Sequence, residues 1–204
     1  MIVIIASVLS IVIKNFSHFE SKPYLRDQGE TAQVLVLCYS RNGNTEAMAK
    51  EIAKYHDADL KFIEAESYSR DFTGWYNAFI DASNETETII NPETIDMSSY
   101  DLIFLGSPIW LFRPAPPIWT FVRNNDFTNN KVILFNTFNS RFEQENIDEF
   151  GDLIVSKGGT LIDHIYIRRG RATPLQKDGN DVIMETMEIL KQQWGNKVSD
   201  SSTQ

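Results

Sequence analysis

Ser40-Arg41-Asn42-Gly43-Asn44-Thr45-Glu46 separates two stretches of different periodicity. Before it, Gln33 to Tyr39 is a short apolar run containing Val34, Leu35, Val36 and Leu37. Continuous apolar character over this length suits a strand buried on both faces of a parallel sheet. After it, Thr45 to Tyr55 places Ala47, Met48, Ile52 and Ala53 at helical spacing. The first N–H groups of a helix lack intrahelical partners and the helix dipole adds positive character, so this turn is an anion site. Gly43 permits φ > 0, which lets consecutive N–H groups converge on one phosphate. The Ser40 and Thr45 hydroxyls and the Asn42 and Asn44 amides add donors, and Arg41 lies in the same turn. The competing reading is a helix cap, since Asn44 suits an N-cap and Asn-Gly suits a turn. No Lys follows the glycine and no GxGxxG spacing occurs, which argues against a nucleoside triphosphate and a dinucleotide in this turn.

The same alternation continues outward. Leu60 to Ile63, Asp101 to Leu105, Lys131 to Phe135 and Leu161 to Ile167 read as further strands. Helices are expected over Asp71 to Ala82, over Pro114 to Arg123 with prolines in its first turn, over Glu143 to Ser156, and over Asp178 to Trp194. Five strands alternating with helices predict an α/β fold, a parallel sheet with helices on both faces. In such a sheet the ligand sits beyond the carboxyl ends of the strands, at the switch point of strand order. Three loops leave those ends, at 40–45, 106–113 and 136–142.

The length of 204 residues suits one domain, and 42% hydrophobic with 23% charged residues is ordinary globular composition. The net charge of -9, from 28 acidic and 19 basic residues, opposes nucleic-acid binding, which needs clustered Lys and Arg. Cys38 is the single cysteine and the three histidines are far apart, so neither a disulfide nor a His/Cys metal cluster is expected. Met1 to Ile13 carries no charged side chain. A membrane anchor, a signal peptide and a segment docked on the domain are three readings of this run, which is shorter than a spanning helix. Lys14, Lys22 and Arg26 follow it and would keep the domain cytoplasmic, tethered or not. Residues 14–31 read as a linker, 32–195 as the domain and 196–204 as a polar tail.

The sequence resembles the flavodoxin-like family. Ser40, Asn42, Gly43 and Thr45 match its phosphate loop, and Asp101 to Trp110 resembles its third strand and the ring-binding loop that follows. Arg113-Pro114-Ala115-Pro116-Pro117 is similar to the helix start of one bacterial subgroup. The resemblance covers residues 32–195. It implies a three-layer sandwich around a five-stranded parallel sheet in the order 2-1-3-4-5, non-covalent FMN, and electron transfer or flavin-dependent reduction.

The resemblance places Ser107, Pro108, Ile109 and Trp110 beside the flavin ring, with Trp110 as the stacking residue. A core tryptophan anchoring the proline-rich helix start is the alternative. Many members carry a glycine after this tryptophan, where this chain has Leu111-Phe112-Arg113, which weakens the expectation of a stabilised one-electron state. In the third loop, Thr137, Phe138 and Asn139 would present backbone N–H groups to the ring's polar edge. Phe138 or Phe142 would supply an apolar wall, and Asn139 the left-handed conformation of an absent glycine. Arg141 near that edge would favour two-electron reduction, against a solvated arginine at a helix cap. Phe72, Trp75, Tyr76 and Phe79 share one helical face, expected in the core, with a wall of a substrate or partner site as the alternative. Arg168, Arg169 and Arg171 are either solvated or placed to attract a nicotinamide dinucleotide. Cys38 is expected to be a buried, inert thiol.

Three functions fit. The first is an FMN-binding redox protein working with a redox partner protein or a small-molecule electron acceptor such as a quinone. The second is an NAD(P)H-dependent quinone or FMN reductase, and the third a binding module that has kept the fold and lost FMN.

Overall fold

The computed structural model describes residues 17–26, 32–171 and 175–195. Residues 1–13, read above as an apolar anchor, signal or docked segment, and the tail at 196–204 lie outside them. Among the described residues no helix is long and apolar enough to cross a membrane.

Among the described residues, six strands and five helices follow one another along the chain. They are β1 (Val34–Tyr39), α1 (Asn44–His56), β2 (Asp59–Ile63), α2 (Phe72–Asn84), β3 (Leu102–Trp110), β4 (Arg113–Pro114), α3 (Pro116–Asn124), β5 (Lys131–Phe138), α4 (Gln144–Ser156), β6 (Thr160–Arg168) and α5 (Gly179–Trp194). A short 3₁₀ turn, Glu66–Tyr68, precedes α2. The main sheet runs β2-β1-β3-β5-β6 with every neighbouring pair parallel, and β4 pairs antiparallel with the end of β3. The expected five-stranded order is therefore present, with β4 as a sixth strand that the sequence pattern did not announce.

The continuous apolar runs are explained by two cores, one on each face of the sheet. Leu35 and Leu37 of β1 join Ile103, Leu105, Val132 and Leu134 under α3 and α4, where Ile118, Phe121, Phe150 and Ile154 are buried. Val36 and Cys38 point the other way, with Phe104, Ile133, Phe135 and Ile167 under Met48 and Ile52 of α1 and Val182 and Leu190 of α5. Successive strand residues face opposite sides, so a strand covered on both sides must be apolar at every position. Cys38 is fully buried, and burial pushes its thiol pKa well up, as expected of an inert thiol.

Two strands run further than their apolar stretches. β3 continues through Ser107 and Pro108, which pair with Asn136 and Thr137 of β5. Gly106 makes this register tight, because an added Cβ would stand 1.9 Å from the Phe135 ring. The stretch 106–113 is therefore a strand end and a hairpin rather than a long loop. Pro114, expected to open a helix, belongs to β4, and α3 starts at Pro116 after Ala115. The segment read as a linker is described over residues 17–26, where it lies along α1, bonded at Asn42, Lys50, Asp57 and Ala58.

Candidate functional site

β1 ends at Tyr39 and α1 begins after Gly43, whose φ of 81° puts it in the left-handed region. The turn thus has the strand–turn–helix geometry that an anion site requires, with the first N–H groups of α1 at its centre. Asn44 is the first residue of α1 and Gly43 its N-cap, with no side-chain cap bond. The cap reading, which gave that role to Asn44, does not account for the turn. Thr45 is almost fully buried and its hydroxyl shares a 2.8 Å hydrogen bond with that of Thr137 in β5. This bond ties the first loop to the third across the sheet.

A cleft of about 360 Å³ opens at the carboxyl ends of β1, β3 and β5. Ser40, Arg41, Asn42, Asn44 and Thr45 line one part of it. Pro108, Ile109, Trp110 and Leu111 come from the β3–β4 hairpin, and Thr137, Phe138 and Asn139 from the end of β5. Polar groups collect at the start of α1, and aromatic and apolar groups fill the remainder.

Trp110 is half-buried and held edge-on by two tyrosines, Tyr39 at 5.7 Å and Tyr68 at 5.3 Å between ring centroids. It lines the cleft and packs against the core under α3 and α4. Burial raises the Tyr39 and Tyr68 phenol pKa values above the ordinary range, so both braces remain neutral. The Arg41 guanidinium turns onto the next crossover, donating to the carbonyls of Ser69 at 2.9 Å, Tyr68 at 3.3 Å and Asp71 at 3.3 Å. Arg41 thereby holds the start of α2 at the mouth of the cleft.

Three of the expected residues do not line it. Gly43 is buried beneath residues 17–19. Ser107 is fully buried behind the hairpin, where its carbonyl accepts from Asn136 Nδ2 at 2.7 Å and its hydroxyl from the Ala115 N–H at 3.3 Å. The Arg141 side chain is 67% exposed, paired with Glu143 at 2.8 Å and lying over the Phe112 ring at 4.9 Å. Arg141 therefore does not stand beside the cleft, where it was expected to favour two-electron reduction. Asn139 is also not left-handed. Besides Gly43, the left-handed residues near the site are Leu111 at φ 44° and Phe112 at φ 75°, the two central residues of the β3–β4 hairpin.

The cleft also takes residues that the pattern assigned elsewhere. Trp75, Ala78, Phe79 and Ala82 of α2 form one of its walls. Phe72, Trp75, Tyr76 and Phe79 are 68%, 39%, 52% and 46% exposed, so this aromatic face is not core. The spacing located the face correctly. Of the two readings of this face, core and cleft wall, the second describes Trp75 and Phe79. Arg169 and Arg171 reach the cleft from beyond β6, together with Gln176. Arg169 donates to the Lys177 carbonyl at 3.1 Å and to Asn139 Oδ1 at 3.4 Å, and Arg171 to the Ser140 hydroxyl. Both are anchored to the third loop or its neighbours rather than simply solvated. Among the described residues no group of three or more His, Cys, Asp or Glu could hold a metal ion.

A family model described as Flavodoxin matches residues 33–173. No curated protein sequence matches the chain. Among solved structures, the chain is similar to a flavoprotein in complex with FMN from Lactobacillus acidophilus NCFM, with 26% identity, 67% of this chain and 93% of that one covered, and a TM-score of 0.55. It is also similar in fold to a structure from Bacteroides uniformis ATCC 8492 assigned as a flavoprotein, with 20% identity, 78% and 99% covered, and a TM-score of 0.61.

Proposed function

The chain belongs to the flavodoxin family, and on that premise we propose that it binds FMN and acts as a redox protein that carries electrons or reduces a small acceptor. The observation that carries this reading is the convergence of three loops on one cleft, with helix-start donors at one part and Trp110 at another. FMN has an anionic phosphate and a flat ring of mixed polarity. A helix start with a left-handed glycine suits the first, and aromatic walls with a strand-end backbone suit the second.

In this reading the turn from Ser40 to Thr45 holds the phosphate through the α1 N–H groups and the side chains that line the cleft. Trp110, braced by Tyr39 and Tyr68, gives the ring a fixed apolar wall. The end of β5, from Thr137 to Asn139, offers backbone groups to the ring's polar edge. Trp75, Phe79 and Leu111 exclude water from the rest of the cleft. When bound, the flavin supplies the electron-carrying chemistry, and the protein contributes binding, orientation and electrostatics.

A second reading is supported by one observation, the presence of Arg169 and Arg171 in the cleft wall. Two guanidinium groups beside a flavin site favour an anionic co-substrate such as NADPH, which would make the protein an NAD(P)H-dependent quinone or FMN reductase. Purified full-length chain tests both. Expected is a yellow protein, or a colourless one that takes up FMN with quenching of its fluorescence; a chain that gains no flavin from excess FMN overturns the proposal. Stopped-flow mixing of the loaded protein with NADPH then separates the readings. Rapid bleaching supports the reductase, and bleaching only with an added reductase supports the carrier.

A further inference from the structure

Residues 17–26 hold the phosphate loop from outside the cleft. The Phe19 N–H donates to the Asn42 carbonyl at 2.9 Å, and the Asn42 side-chain amide donates to the Ser17 carbonyl at 2.8 Å. The neighbouring residue, Gly43, has no side chain to keep the segment away. A Cβ there would stand 1.9 Å from the Phe19 carbonyl oxygen. The Phe19 ring fills a second glycine slot, at the first residue of α5, where a Cβ on Gly179 would stand 2.1 Å from Cδ1 of the ring. Gly43 and Gly179 come from opposite ends of the domain sequence and together make room for one phenylalanine.

The segment is fastened along the whole of α1. Lys50 donates to the Ser21 carbonyl at 3.2 Å while pairing with Glu46 at 2.7 Å in the first turn of the helix. Tyr24 donates to the Ala58 carbonyl at 3.1 Å. Arg26 donates to the Asp57 carbonyl at 2.8 Å and pairs with the carboxylates of Asp57 and Asp59 at 3.4 and 3.6 Å. The strap therefore runs from the N-cap of α1 to its C-cap.

Peptide geometry gives this contact a consequence for the ligand. In a planar trans peptide the C=O and the following N–H point in opposite directions. Holding the Asn42 carbonyl on Phe19 aims the Gly43 N–H away from the strap. None of the strap residues lines the cleft, whereas the loop residues on either side of Gly43 do. We propose that residues 17–26 are a clamp that sets the peptides of the phosphate loop for anion binding, with Phe19 as its positioning residue. The inference rests on the reading of the cleft as an FMN site.

FMN and riboflavin share the ring and differ by the phosphate, so the pair isolates the loop's contribution. Two full-length variants are compared with the wild type. Phe19→Ala empties the slot, and Gly179→Ala fills it from α5, pushing on the Phe19 ring while the residues of the strap and the loop stay unchanged. Circular dichroism confirms folding, and fluorescence titration gives a Kd for each flavin. FMN affinity is expected to fall about tenfold in both variants, within the usual range for coupling between sites, with riboflavin affinity unchanged. Equal losses for the two flavins, or no loss for either, overturn the clamp. A wild-type chain that binds riboflavin and FMN equally also overturns it, because the loop then does not read the phosphate. A wild-type chain that binds neither flavin overturns the cofactor reading itself, and this inference with it.

Discussion

Two residues illustrate how much a single position can decide here. Gly43 is required twice, once by its left-handed φ and once by the Phe19 carbonyl in the space a Cβ would take. Gly43→Ala should lower stability by about 1–2 kcal/mol from the backbone term alone, and by more if Phe19 cannot move. A denaturant midpoint equal to wild type would contradict both the backbone cost and the contact with Phe19. His164 is a second case. It packs against Phe142 at 5.0 Å and shares a 2.9 Å hydrogen bond with the buried Asn136, which also bonds Ser107. Burial holds its imidazole down at about 4, against an ordinary value of 6.5. The unfolded chain then binds more protons than the folded one between those two values, so stability rises with pH across that window. It is lost as pH falls from about 6.5 towards 4. Replacing His164 by Gln should flatten the pH dependence of Tm within this window, and an unchanged slope would assign it to other groups.

At the scale of elements, the β3–β4 hairpin is the least ordinary piece of local structure. Two-residue hairpin turns with both central φ values positive favour Asn and Gly. This one uses Leu111 and Phe112. The surroundings hold it in place. The Phe112 carbonyl accepts from the Glu143 N–H at 2.9 Å, and its ring lies under the Arg141 guanidinium. Arg113, buried, lies 4.5 Å over the Trp119 ring and pairs with Glu85 and Glu149. Leu111 has less to lose, being 41% exposed. Leu111→Gly should therefore stabilise the protein, by about 1 kcal/mol of relieved backbone strain. A fall in Tm would mean that the Leu111 side chain contributes more than its strain costs. The hairpin also explains why Trp110 is well placed. It ends a paired strand, so its backbone is fixed by β4 and its ring by Tyr39 and Tyr68.

At the scale of the molecule, the cleft is assembled from β1, β3, β5, α2 and the segment after β6, which meet only when the sheet is complete. A ligand that binds such a cleft stabilises the whole fold by mass action, about 2.7 kcal/mol at a concentration one hundred times its Kd. For a chain of this length FMN should therefore raise Tm by roughly 5–10 °C. Riboflavin should raise it less, since it cannot use the start of α1. Thermal scans with each flavin at matched concentration check both statements, and no shift with FMN would contradict a site of this kind.

The residues alone carried the alternation of strands and helices and the turn at Ser40 to Thr45, both local or nearly so, whereas the order of the parallel sheet was implied by the family resemblance. A doubly covered strand must be apolar at every position, and a phosphate turn must sit between strand and helix. The tertiary structure alone decided which side chains share the cleft. Leu111 and Phe112 are left-handed because distant partners hold the hairpin, and no local preference of Leu or Phe announces it. The Trp75 and Phe79 face obeys the period of a core helix, and only its neighbours leave it open. Arg141 and Arg169 look alike in the chain, but one pairs with Glu143 outside the cleft while the other bonds Asn139 and the Lys177 carbonyl at its wall. Which of two equal charges reaches a site depends on long-range packing, and spacing along the chain carries no information about it.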